Sequence, residues 1–334
     1  MSTPSSVENL ASQLNLSIQT EPMSLESYSA SADAIAPVIS IAESKGVLTL
    51  RGEQRITFLQ GQSCCDSNVL DKQEATFGAF CNLKGRVISN FFAINDDSEC
   101  HLIMDRVIVP KLKEHLQKYA VFSRVELIDN SETLTVLCLC AAKKAEMTEE
   151  ASNVTFTSAS TAGLLSATSD NLTLGFYLVK QESLLNDVQQ LIIPSLPANH
   201  YWASESVLDQ FFIMSQIAWI SEATFELLLP QLIGLEVLNG LSFSKGCYTG
   251  QEIIARMKYR GQLKRSMQLV QIEGANELTL GSTFNSESKK NIGHIINAVK
   301  AGTDKQLALV SIEIEQQNIQ NVLINDQRSA VTFL

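Results

Sequence analysis

Two hairpin signals, Asn82-Leu83-Lys84-Gly85 and Asn95-Asp96-Asp97-Ser98, lie between short apolar runs and constrain the fold more than any other feature of the chain. Turns this short join antiparallel neighbours, so strict alternation of strand and helix is excluded there. Strands are expected over 46–50, 75–80, 86–94 and 100–104, with Gly85 free to take positive φ at the first turn. A short helix is expected over 54–60. A longer one over 107–119 places Val107, Leu112, Leu116 and Tyr119 on one face. Further strands are expected over 124–128, 134–140 and 172–180, and helices over 182–192 and 204–214, the last with Ser204 as its cap. Residues 141–171, rich in Ala, Ser and Thr, predict a helix and then a variable loop. After Arg265 the helical periodicity stops. Short strands over 267–272, 294–299, 307–314 and 322–325 predict a small separate β-barrel or sandwich. The class is α+β.

A chain of 334 residues has room for two or three domains. The divisions expected are a mobile tail over 1–36 with one short helix at 7–14, a body over 37–262 and the β-barrel over 263–334. The net charge of −11 repels phosphate, which argues against general affinity for nucleic acid or anionic membrane and leaves only a local basic patch to override it. No apolar run of about 18 residues is present, so no membrane-spanning helix is expected. The first cation is Lys45, which argues against a basic leader and points to the cytoplasm. The seven cysteines are odd in number and irregularly spaced, which suits reduced thiols. Cys64 and Cys65 are expected as one core and one surface thiol, and Cys138 and Cys140 as buried on one face of a strand. With no CxxC pair and four scattered histidines, no metal site is expected.

The segment from Phe243 to Arg256 concentrates chemistry. Thr249 and Glu252 match a T-x-x-E capping box ahead of Ile253-Ile254, so a helix should start near Gly250. Cys247 then stands just before a helix N-terminus, where free backbone N–H groups favour a thiolate. Six cations (Lys245, Arg256, Lys258, Arg260, Lys264 and Arg265) face one anion, Glu252, leaving net +5 over 245–265. Such a field attracts the carboxylates of a glutamyl tail, or a phosphate. Two readings stand side by side: a reactive thiol in a binding site, or a buried small residue beside a solvated charged face. Elsewhere Gln60 and Gln62 either offer amides to a ligand or flank a C-capping Gly61. Trp219 either stacks on a ligand or fills the core.

The eight residues Lys245-Gly246-Cys247-Tyr248-Thr249-Gly250-Gln251-Glu252 resemble the K-G-C-Y-x-G-Q-E signature of the YgfZ family. Phe58-Leu59-Gln60-Gly61-Gln62, Cys81-Asn82-Leu83-Lys84-Gly85-Arg86, Lys118-Tyr119-Ala120-Val121-Phe122-Ser123 and Leu229-Pro230-Gln231 are similar to other family segments, in the same order. The match runs from about Gly46 to Val299. The resemblance implies a body like the T-protein of glycine cleavage, with α+β subdomains around a central channel and a C-terminal β-barrel. It implies tetrahydrofolate or a derivative as ligand. It also implies support of iron–sulfur enzymes, including one that methylthiolates tRNA, through the motif cysteine, which is Cys247 here. An iron–sulfur enzyme or assembly protein would be the client; direct tRNA binding stays open. Candidate folate contacts are Gln60, Gln62, Gln216, Trp219, Tyr248 and Arg256. Departures bear on activity. Where the T-protein carries a catalytic aspartate, this chain has Ser89 and Asn90, so aminomethyl transfer is not expected. Gln216 stands where an acidic residue usually binds the pterin. The alternatives are a folate-dependent one-carbon transferase and a non-catalytic docking module for a client or tRNA.

Overall fold

The computed structural model describes residues 6–14, 16–20, 37–71, 75–96, 98–142, 160–165, 172–196, 200–274 and 277–334. Among them are five helices of eight residues or more: α1 (Ser6–Leu14), α2 (Arg55–Gln62), α3 (Val109–Ala120), α4 (Glu205–Met214) and α5 (Gln251–Tyr259). The first strands are β1 (Ile18–Gln19), β2 (Val38–Ile41), β3 (Lys45–Arg51), β4 (Ala75–Cys81), β5 (Val87–Asn95) and β6 (Glu99–Asp105). Then come β7 (Glu126–Asp129), β8 (Leu134–Ala142), β9 (Ser160–Leu165), β10 (Leu172–Lys180) and β11 (Tyr201–Ala203). Six more close the chain: β12 (Arg265–Glu273), β13 (Thr283–Phe284), β14 (Gly293–Lys300), β15 (Lys305–Glu313), β16 (Asn321–Ile324) and β17 (Gln327–Phe333). By their contacts the residues form two compact units. One holds Met1–Arg55, Val69–Thr76 and Phe92–Phe211; the other holds Ile56–Asn68, Phe77–Phe91 and Phe212–Leu334. The barrel strands therefore share a unit with residues far upstream of 263.

In the first unit, β1, β11 and β2 run parallel, and β2, β8, β10 and β9 continue the sheet antiparallel. Strand β10 pairs with β8 over its whole length, Leu172 opposite Ala142 and Lys180 opposite Leu134. Cys138 and Cys140 share one buried face, their Sγ atoms 3.9 Å apart, as period-two alternation requires. The opposite face packs Ile39, Ile41, Leu137, Leu139, Val179 and Trp202 with Leu10 of α1. The expected tail thus contributes a helix to this core; residues 1–5, 15 and 21–36 lie outside the described residues.

Three expectations in this unit need correction. Residues 160–165, expected within a helix and loop, form strand β9, while 143–159 and 166–171 lie outside the described residues. Helix α3 starts at Val109, with Pro110 in its first turn, and buries Val109, Leu112, Leu116 and Ala120. Val107 falls before the helix and is 54% exposed, and Tyr119, beside the His115 ring and the Lys118 ammonium, is 37% exposed rather than facing the core. Ser204 supplies no side-chain cap to α4; its hydroxyl donates to the Thr20 carbonyl at 3.1 Å.

In the second unit, the Asn82–Gly85 turn links β4 to β5, with Gly85 at φ 69° and Asn82 Oδ1 accepting from Lys84 N and Arg86 N. The last six strands follow the order β13-β14-β15-β12-β17-β16. Asn285 and Leu323 exchange backbone bonds of 3.0 and 2.8 Å, which brings β16 back beside β13 and leaves the barrel nearly closed. Phe284, Ile295, Val310, Ile312 and Val331 are in its core. Strands β13 and β17 were not expected. The first is two residues long, and the second alternates exposed Arg328, Ala330 and Thr332 with buried Ser329 and Val331, a weak apolar signal.

Candidate functional site

Helix α5 begins where expected but by a different device. Its N-cap is Gly250 at φ 84°, with no side-chain cap, so Thr249 and Glu252 form no capping box. Packing sets this start. A Cβ at Gly250 would stand 2.6 Å from Asn82 O and 3.1 Å from Gly85 Cα. One at Gly85 would stand 3.2 Å from Ile253 and Ile254. The Cys81–Arg86 turn and the head of α5 therefore meet almost backbone to backbone, which only glycine allows at both places. Gln231 of the Leu229-Pro230-Gln231 segment adds a bond from Nε2 to Ile254 O at 3.0 Å.

Lys245 ties in the end of α2. Its Nζ donates to Ser63 O at 2.8 Å and Cys65 O at 2.6 Å, and stands 5.1 Å from the Tyr248 ring centroid. Burial lowers its pKa, an effect that the nearby Cys65, Cys64 and Asp66 groups offset in part through their charge. The Cys64 thiol donates to Gly240 O at 3.3 Å, and Ser242 N donates to Cys64 O at 2.9 Å. Because the 240–248 loop straps over them, Cys64 and Cys65 are both buried, which corrects the expectation of one surface thiol. Burial pushes the Cys65 thiol up to about 11. Cys247, between open Gly246 and buried Tyr248, is the one exposed cysteine of the seven. Tyr248 is 7% exposed, its hydroxyl pKa is raised by burial, and its oxygen has no hydrogen-bond partner among the described residues.

Four of the five matched segments thus meet in one unit; the fifth, Lys118–Ser123, lies in the other. Gln60 spends both amide atoms locally: Oε1 accepts from Ser67 N at 2.6 Å and Nε2 donates to Asp66 at 2.9 Å. Gly61 lies inside α2 rather than at a left-handed C-cap, with nothing within 4 Å of where a Cβ would stand. Gln62 is half-buried at the last position of that helix.

Gln216 is exposed and left-handed, at φ 56°. Its N–H bonds Ile213 O and the next N–H bonds Phe212 O, the paired bonds of a Schellman helix end where glycine is usual. Trp219 is 4% exposed, with the Phe212 ring 5.5 Å and the Phe77 ring 6.2 Å away. Arg256 lies on the exposed face of α5, where Glu252, Arg256, Tyr259 and Arg260 line a shallow hollow of about 560 Å³.

Two residues do more than sequence reasoning gave them. Asn90 Nδ2 donates to Ala218 O at 2.7 Å while its Oδ1 accepts from Ile220 N at 2.8 Å. Asn297, at the irregularity between Ile295 and Asn297 in β14, does the same for both backbone groups of Trp219, at 2.9 and 3.0 Å. The 218–220 stretch is gripped from two sides. Only the T-protein comparison at 89–90 drew attention to Asn90; nothing marked Asn297.

No protein-family model matches the chain. It is 30% identical to the tRNA-modifying protein YgfZ of Vibrio atlanticus over 270 residues, covering 79% of this chain and 80% of that one. It is 31% identical to the protein of that name from Aliivibrio fischeri over 234 residues, covering 67% and 68%. The one from Photobacterium profundum is 28% identical over 295 residues, covering 86% of each. Among solved structures, the glycine cleavage system aminomethyltransferase T of Bartonella henselae superposes with a TM-score of 0.69 at 10% identity, over 98% of this chain and 95% of that one. The fold is that of the T-protein.

Proposed function

The chain belongs to the YgfZ family, and on that premise we propose that it is a folate-binding accessory protein that supports iron–sulfur enzymes, among them one acting in tRNA modification, through Cys247. The observation that carries this reading is the placement of the one exposed thiol of seven, on the loop that Lys245 pins at the head of α5. A single thiol cannot hold a cluster, which normally takes four ligands, so the thiol acts on or with a second protein. The folate-binding body is assigned to residues 37–262, and the compartment to the cytoplasm. Among the described residues no helix is long and apolar enough to cross a membrane.

Four of the candidate side chains have the chemistry that a reduced folate would use. The exposed amide of Gln216 and that of Gln62 suit the pterin's hydrogen-bonding edge, and Arg256 suits a glutamyl carboxylate. The unpartnered Tyr248 hydroxyl supplies one further polar group. Gln60 and Trp219 serve behind this set, since the amide of one is engaged and the ring of the other is packed. A bound tetrahydrofolate supplies a one-carbon carrier, and this chain offers no anion at 89–90 to drive transfer from it. Asn90 is neutral and committed to the backbone through both amide atoms. Accessory action is therefore favoured over transferase chemistry.

Calorimetry with tetrahydrofolate tests this, read together with alkylation of Cys247. Binding should weaken several-fold in Gln216→Gly, which relieves the left-handed backbone while removing the amide, and in Arg256→Ala. Alkylation should slow when folate is bound. Absence of binding heat together with unchanged alkylation would end the folate reading.

A second reading, direct contact with tRNA, is favoured by one observation: Arg256, Tyr259 and Arg260 line the hollow on α5, combining two cations with a stackable ring. Binding of a tRNA transcript that falls steeply with salt and is lost in Arg256→Ala/Arg260→Ala would support it; salt-independent binding would not.

A further inference from the structure

The end of α3 displays apolar side chains that the fold does not use. Phe122 is 87% exposed and Val121 67% exposed, on a single turn of 3-10 helix. Backbone bonds close that turn. Arg124 N bonds Val121 O at 3.4 Å, Val125 N bonds Ala120 O at 3.1 Å, and Arg124 takes the left-handed conformation at φ 51°. Buried Leu116 and Ala120 anchor it on one side, and Val125 and Leu127 on the other. Cations bracket the tip: Lys118, with its ammonium 5.0 Å from the Tyr119 ring centroid, and Arg124. Neither makes an ion pair among the described residues. Lys111 and Lys113 lie on the same helix, with Glu114 its one acid, in a chain whose net charge is −11.

We propose that the Val121–Phe122 tip is the docking surface for the iron–sulfur client protein, whose matching surface is an apolar pocket rimmed by carboxylates. This inference rests on the accessory reading above. Charge complementarity selects an acidic rim, because Lys118 and Arg124 flank the tip and remain free to meet it. The apolar pair selects a protein pocket. Phe122 offers a face on which a nucleotide base could stack, but Val121 beside it offers none. Two flanking cations are few for an anionic bilayer, where stable attachment needs a larger cluster. Because the tip is preformed, docking it costs little ordering, which suits a buried aromatic anchor.

The test measures the affinity of the full chain for a purified tRNA-methylthiolating iron–sulfur enzyme. Phe122→Ser should weaken binding by about 30-fold or more, the loss expected for an aromatic anchor, with an unchanged urea midpoint because the side chain touches solvent. Lys118→Glu/Arg124→Glu should also weaken it and should flatten the salt dependence. Unchanged affinity in Phe122→Ser, or no binding by the parent, overturns the proposal. So does a Phe122→Ser loss seen only with a tRNA transcript or with anionic phosphatidylserine vesicles. Cellular support of the enzyme separates the two claims. If Cys247→Ser abolishes support while Phe122→Ser leaves binding intact, the docking proposal fails and the accessory reading stands. If Cys247→Ser supports the enzyme like the parent, the accessory reading itself fails.

Discussion

The ammonium of Lys245 donates to the backbone oxygen of Cys65 at 2.6 Å, reaching across 180 positions of sequence to hold the loop that carries Cys247. The lysine of the motif is therefore a strap, and the thiol two residues on owes its position to it. Lys245→Met keeps the length of the side chain and removes the donor. It leaves two carbonyls at Ser63 and Cys65 without their partner, which should cost about 2 kcal/mol. Urea denaturation measures the loss, and hydrogen exchange should quicken at the amides of the 240–248 loop. An unchanged midpoint would remove the strap from the account.

Asn90→Asp recreates a carboxylate close to where the T-protein carries its own. Here it should destabilise the fold by about 2 kcal/mol, because an aspartate cannot donate to Ala218 O and sets an anion against that carbonyl. It should gain no aminomethyl transfer. Stable protein with new turnover would revive the transferase alternative.

Gly61→Ala tests the space beside α2. Nothing lies within 4 Å of the added Cβ, so on helix propensity alone the substitution should stabilise the fold by about 0.5–1 kcal/mol. Should a ligand use that space, folate affinity falls as stability rises. A stable variant with parental affinity would place the ligand elsewhere.

How much of this was legible from sequence depends on the range of each interaction. Strand β10 at 172–180, Gly85 in its turn and the start of α5 near Gly250 follow from local pattern, and the structure has them. What failed depended on partners far along the chain. That Cys64 and Cys65 are both covered follows from the 240–248 loop, and that Gly250 replaces a capping box follows from Asn82 and Gly85. The grips of Asn90 on 218–220 and of Asn297 on Trp219 join positions 78 to 130 residues apart, with no periodicity to announce them. Val107 departs for a short-range reason instead: α3 begins at Val109, so Val107 lies outside the helical periodicity that would have turned it inward.

Asp209 should make stability depend on pH. Burial pushes its carboxyl up to about 6, with the Lys45 ammonium opposing and Glu205 and Asp105 adding to the effect. The unfolded chain has the ordinary value near 3.8, so between these values the folded state holds more protons. Stability should fall as pH rises from about 4 to about 7, by roughly 2 kcal/mol for this half-buried group, and then level. Asp209→Asn should abolish that slope and unfold at higher urea than the parent at pH 8. A parent curve already flat from pH 4 to 7 would contradict this.

The central claim concerns Cys247, and one measurement addresses it most directly: the level of methylthiolated tRNA in cells lacking their own YgfZ, supplied with this chain or with Cys247→Ser. The account predicts that the parent restores the modification and Cys247→Ser does not, although the two show the same urea midpoint. Equal restoration by both would contradict it and leave the exposed thiol without a part in the function.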